Sequence, residues 1–141
     1  MKLADKVCIP CTGGVPPLKG NELAALRSQV PEWQVVNDHH LHRVFRFPDF
    51  QQALNFVNLA GAIAEEQGHH PDILLAWGRA EITTYTHKID GLTENDFILA
   101  ARIDGIPRPA ESLDMVEAKN PVTRGQYLYF VLNQYCGELA A

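Results

Sequence analysis

The sequence predicts an α+β fold: a four-stranded antiparallel sheet with helices packed on one face, in the order ββαββα, with a short helix ahead of this core and an extra C-terminal helix behind it. Three observations lead there. Between residues 50 and 68, apolar side chains recur at the spacing of one helix face. On each side of that stretch lie two short runs rich in residues that suit a pleated surface, each pair separated by a tight turn. Strand pairs joined through a helix imply an antiparallel sheet with its helices gathered on one side.

Residues 1–20 hold Cys8, Pro10, Cys11, Gly13, Gly14, Pro16 and Pro17, a density of Gly and Pro that predicts an irregular, flexible arm. NELAALRSQV (21–30) then offers Asn21 as N-cap and Leu23, Leu26 and Val30 as the apolar side of a short helix stopped by Pro31. WQVV (33–36) and HHLHRVFRF (39–47) form a hairpin through Asn37-Asp38, with Leu41, Phe45 and Phe47 on one face.

Asp49 caps the long helix, where Phe50, Ala53, Val57, Ala60 and Ala64 fall at spacings of three and four. Gly61 lies within it at a position suited to close packing, and Gly68 is placed to end it. PDILLAWG (71–78) and RAEITTYTH (79–87) form the second strand pair, with Trp77 expected on the core side. Thr93 and Asp96 make a capping-box start to a helix bearing Phe97, Leu99, Ala100 and Ile103.

Gly105, Pro107 and Pro109 open a linker. One or two weak helical turns follow at 110–119. Asn120-Pro121 then starts a last helix with Leu128, Val131, Leu132 and Tyr135 on one side. The chain divides into an arm (1–20), a folded unit (21–104) and a C-terminal extension (105–141).

Of the 141 residues 46% are hydrophobic and 21% charged, enough apolar material for a core without a metal or disulfide staple. The net charge of -5 gives no electrostatic footprint for nucleic acid. MKLADKVCIPC lacks the apolar stretch of a secretory signal, and no run approaches the ~20 apolar residues of a membrane helix. The expected setting is the cytoplasm, with no membrane partner.

EEQGHHPDILLAW (65–77) sets His69 and His70 at the corner between the long helix and the third strand. If 72–77 and 80–87 pair through Gly78, His87 returns beside the start of that strand and joins them. Histidine is the side chain that titrates near neutrality, so a converging set can give and take protons in one turnover. Asp96 opens the next helix near the same corner, placed to orient an imidazole or to bind a donor on a substrate.

Glu65, His69-His70-Pro71, Trp77, His87 and Asp96, in that register, resemble the signature of the pterin-4a-carbinolamine dehydratases. The resemblance runs over roughly residues 20 to 104 and takes in FPDFQQALNFVNLAGAIAE and GLTENDFILAARID. It implies a four-stranded antiparallel sheet with helices on one face. The implied reaction is dehydration of 4a-hydroxytetrahydropterin to quinonoid dihydropterin, recycling the cofactor of aromatic amino acid hydroxylases, with no cofactor or metal of the enzyme's own. By similarity His70 and His87 are the acid–base pair, and His69 positions the pterin. Thr86 falls on the substrate-contacting segment and Asp96 on the signature's acidic position. A homodimer or homotetramer is implied as well, since an open sheet leaves edges to cover.

Other readings compete. His69, His70 and His87 equal a catalytic zinc set in number, which would make a zinc-dependent hydrolase. A non-catalytic dimerisation or binding module would use the C-terminal helix instead. His40 and His42 share a strand face, with His39 beside them, but lack a fixed third ligand. Cys8-Ile-Pro-Cys11 lacks the strand and helix that frame a redox pair. Glu65 reads as solvated helix surface, Trp77 as core.

Overall fold

The computed structural model describes residues 2–10 and 14–109. The helical turns read at 110–119 and the C-terminal helix read after Asn120 lie outside the described residues. In chain order the elements are α1 (Gly20–Arg27), β1 (Gln34–Val36), β2 (His40–Arg46), α2 (Phe50–Gln67), β3 (Asp72–Ala76), β4 (Arg79–Thr84) and α3 (Glu94–Asp104). The expected α+β core is present, with all strand pairs antiparallel in the order β1-β2-β4-β3.

Register decides which side of the sheet is buried. Leu41, Arg43 and Phe45 stand opposite Thr84, Ile82 and Ala80, and Ile73 and Leu75 continue the row on β3. Strand side chains alternate between faces, so this row shares one face. That face packs on Phe56, Ala60 and Ala64 of α2 and Phe97, Leu99 and Ile103 of α3. Trp33, Phe45, Phe56 and Phe47 form a chain of ring contacts through it. The other face, with His40, His42, Glu81 and Leu74, is half-buried or exposed.

Local chemistry fixes the ends of α2. The Asp49 carboxylate accepts from Gln52 N at 2.8 Å, the expected N-cap. Gly68 closes the helix at φ +63°, in the left-handed region that glycine enters freely. Asn37 and Asp38 both turn with positive φ, which their short polar side chains tolerate.

Several elements differ from expectation. Helix α1 begins at Gly20 and ends at Arg27, so Asn21 lies inside it and Lys19 occupies the N-cap without a side-chain bond. Nothing stands within 4 Å of a Cβ placed on Gly61, so close packing does not explain that glycine. Trp77 is 40% exposed, because β3 stops at Ala76 and hands it to the turn with Gly78. Part of the arm is docked: Leu3 lies in a 3-10 turn (Leu3–Asp5) and is buried in the core.

Candidate active site

Two corners meet at one end of the central hairpin. At the first, Gly68 N bonds back to Glu65 O and His69 N to Ala64 O, which throws His69 and His70 off the end of α2. At the second, β4 ends at Thr84, earlier than the sequence suggested. Thr86 then bridges to Gly91, and a tight turn at Ile89 and Asp90 closes behind His87. Because Asp72 is level with Thr83, the chain beyond Thr84 runs back past the start of β3. His69, His70 and His87 consequently line one cavity of about 430 Å³, together with Pro10, Gly68, Tyr85, Thr86 and Lys88.

Behind the cavity lies a buried acid. Asp96 has no exposed surface. Its Oδ1 accepts from Thr84 Oγ1 at 2.8 Å and stands 2.6 Å from His69 Nε2. Its Oδ2 accepts from Thr86 Oγ1 at 2.8 Å and from Thr93 N at 3.0 Å, the capping-box bond read from the sequence. A buried carboxylate needs such donors to offset its lost hydration. Asp96 has no exposed surface of its own, and it meets the cavity lining through His69 and Thr86. The Thr86 hydroxyl is likewise turned inward to Asp96, leaving the residue's remaining atoms to line the wall.

His70 is held differently. Its Nε2 stands 2.6 Å from Glu65 Oε1, one helical turn back, and both side chains are largely exposed. Glu65 is therefore surface, as read, but paired. His87 packs edge-on against Tyr85, which also contacts His39. His39 Nε2 bonds Asp90 Oδ1 at 2.7 Å and so ties β2's entry to the turn that carries His87.

Trp77 is absent from the cavity wall, since it sits at the opposite end of the β3–β4 hairpin. His39, Tyr85, Thr84 and Pro10 were not foreseen at the site. Thr84 was findable, because it shares the strand parity of Thr86; the others depend on the path of loops. His40 has its pKa lowered by burial and by the neighbouring His39 and His42. A larger cavity of about 710 Å³ lies between β2 and Ile106–Pro109, holding only one histidine, His42. It lacks the converging acid–base groups of the first. Among the described residues no three His, Cys, Asp or Glu side chains converge with the geometry of a metal site.

This combination, an antiparallel sheet backed by helices with three imidazoles at one end and a buried carboxylate behind one of them, defines a small α+β protein with a histidine-lined cavity. The model of the pterin 4 alpha carbinolamine dehydratase family matches residues 16–106, and the chain belongs to that family. Two relatives carry the provisional name pterin-4-alpha-carbinolamine dehydratase. The one from Rubrobacter xylanophilus is 64% identical over 103 residues, covering 73% of this chain and 96% of its own. The one from Alkaliphilus metalliredigens is 54% identical over 103 residues, covering 72% and 93%. Among solved structures, the crystal structure of a transcriptional coactivator/pterin dehydratase from Brucella melitensis superposes with a TM-score of 0.59 at 31% identity. It covers 62% of this chain and 95% of its own.

Proposed function

We propose that the chain removes water from 4a-hydroxytetrahydropterin to give quinonoid dihydropterin, by general acid–base catalysis. The observation that carries this is the shared wall: His69, His70 and His87, from two separate corners, face one cavity large enough for a bicyclic heterocycle. The names of its relatives supply the substrate class. The reaction breaks the C4a–O bond, needs a proton on the departing hydroxyl, and releases a proton from a ring nitrogen. His70 and His87 are the groups that deliver and remove those protons. His69 positions the ring, its Nε2 held by Asp96 so that Nδ1 is left for the substrate. Thr86 contacts the pterin through the atoms not turned toward Asp96.

Two further features belong to this reading. The chain works as a homodimer or homotetramer, because β1 and β3 are the edge strands of the sheet among the described residues. It works in the cytoplasm, where the pterin cofactor is recycled; no helix among the described residues is long and apolar enough to cross a membrane. Light scattering and cell fractionation test these points.

The decisive experiment is a spectrophotometric assay with freshly generated 4a-hydroxytetrahydropterin. Loss of the 4a-hydroxy species well above the spontaneous rate, unaffected by a strong chelator, is expected. A rate equal to the uncatalysed one would reject the reading. Activity lost to the chelator and restored by zinc would favour a metal-dependent hydrolase.

A further inference from the structure

The N-terminal arm lies largely outside the span matched by the family model, which begins at residue 16. It is nevertheless bound to the protein by a series of specific contacts. Asn95 grips Ile9 from both sides: its Nδ2 donates to Ile9 O at 2.7 Å, and its Oδ1 accepts from Ile9 N at 3.1 Å. A side-chain amide used this way imitates a neighbouring strand. Gln67 Oε1 accepts from Cys8 N at 2.9 Å, and Arg102 Nε donates to Lys6 O at 2.9 Å.

The two amides that hold the arm stand in telling places. Gln67 is the last residue of α2, two before His69, and Asn95 immediately precedes Asp96. Both are buried. Pro10, the residue after the anchored Ile9, lines the cavity together with the histidines. One set of hydrogen bonds thus fixes the arm and the backbone next to the site together.

We infer that the docked arm supplies part of the wall of the substrate cavity through Pro10, with residues 6–9 as its mooring and Asn95 and Gln67 as positioning residues that hold this wall against the histidines. The arm thereby sets how tightly the flat ring is bound, while proton transfer stays with the imidazoles. This builds on the proposed dehydratase reading but is testable apart from it.

The variants are Asn95→Ala, which keeps the arm but removes its double anchor, and a chain lacking residues 2–10. Circular dichroism checks that each folds, and Asn95→Ala serves alone if the shortened chain does not. In the assay above, each raises KM by about fivefold or more while kcat stays within about threefold. Combining them is no worse than the shortening alone, because both remove one contact. Unchanged KM in Asn95→Ala would overturn the inference, as would a fall confined to kcat. If the native chain fails to turn over pterin, the dehydratase reading fails, and the wall is judged by diethylpyrocarbonate labelling of His70. Faster labelling in Asn95→Ala than in the native chain supports the wall; equal rates overturn it.

Discussion

His69 Nε2 lies 2.6 Å from Asp96 Oδ1, and the carboxylate is also held from β4, from the bridge that follows it and from the cap of its own helix. Thr84 reaches it from β4, Thr86 from the bridge beyond, and Thr93 from the cap of α3. The acid is thus a junction that fixes one imidazole to the rigid body of the fold. Asn at this position keeps the shape but loses the charge, and in either orientation its NH2 faces a threonine that already donates, Thr84 on one side or Thr86 on the other. Asp96→Asn is expected to lower kcat roughly 100-fold and to cost about 1–3 kcal/mol of stability. Steady-state kinetics and urea unfolding measure the two effects; a variant with native kcat would show that anchoring His69 is irrelevant to turnover.

His70 and His87 offer a cleaner separation of chemistry from folding. The His70 side chain is 60% exposed, so its removal leaves the core untouched. His70→Ala and His87→Ala are each expected to cut kcat by roughly 100-fold or more, with unfolding midpoints close to native. Near-normal turnover in both variants would remove the acid–base assignment.

Thr84 tests the network from the other side. It is almost fully buried, and Thr84→Val deletes a donor to Asp96 while keeping the volume. The expected cost is about 1–3 kcal/mol. Added to Asp96→Asn, it is expected to cost much less than on its own, because the partner it serves has changed. Simple additivity in a double-mutant cycle would mean that the two side chains do not interact.

Much of this geometry was legible in the sequence, for identifiable reasons. Apolar spacing gave α2, because a helix burying one stripe must repeat it, and Asp49 and Gly68 marked its ends by backbone chemistry that few residues satisfy. The return of His87 to His69 and His70 followed from antiparallel pairing through Gly78, which needed only strand lengths. What stayed hidden depends on contacts distant in sequence. The docking of Ile9 on Asn95 spans 86 positions, and a Gly- and Pro-rich arm carries no periodic signal to announce it. The tilted ring contact of His39 with Tyr85 likewise depends on where β2 lies beside β4. Trp77 misled because an apolar residue at the end of a strand pattern can as easily belong to the turn.

Gly78 carries the hairpin that makes the site. Its φ is +70°, and a Cβ there would lie 2.9 Å from Phe47 O, while its own carbonyl accepts from Phe47 N at 2.9 Å. Gly78→Ala therefore combines an unfavourable backbone conformation with a clash against backbone that cannot swing aside. A loss of about 1–3 kcal/mol is expected, read as a lower urea midpoint. The cavity lies at the far end of the hairpin, so the variant that remains folded should keep most of its kcat. A midpoint equal to the native one would mean that this turn tolerates a side chain.

Cys8 reports on the docked arm through its titration. Burial, reinforced by the negative charge of Asp96 and partly opposed by Arg102, raises its thiol pKa from 9.0 to about 11. The thiolate is the reactive form, so at pH 8 iodoacetamide should modify Cys8 at least about tenfold more slowly in the native chain than in urea. Peptide mapping separates Cys8 from Cys11 and Cys136. The sign for stability follows from the same shift. A folded-state pKa above the unfolded one means that protonated Cys8 favours the native state. That contribution is complete below pH 9 and is lost as the pH climbs through about 11. The urea midpoint of the native chain should therefore fall more between pH 8 and pH 11 than that of Cys8→Ala. Parallel pH curves, together with equal alkylation rates in buffer and urea, would show the arm to be undocked in solution.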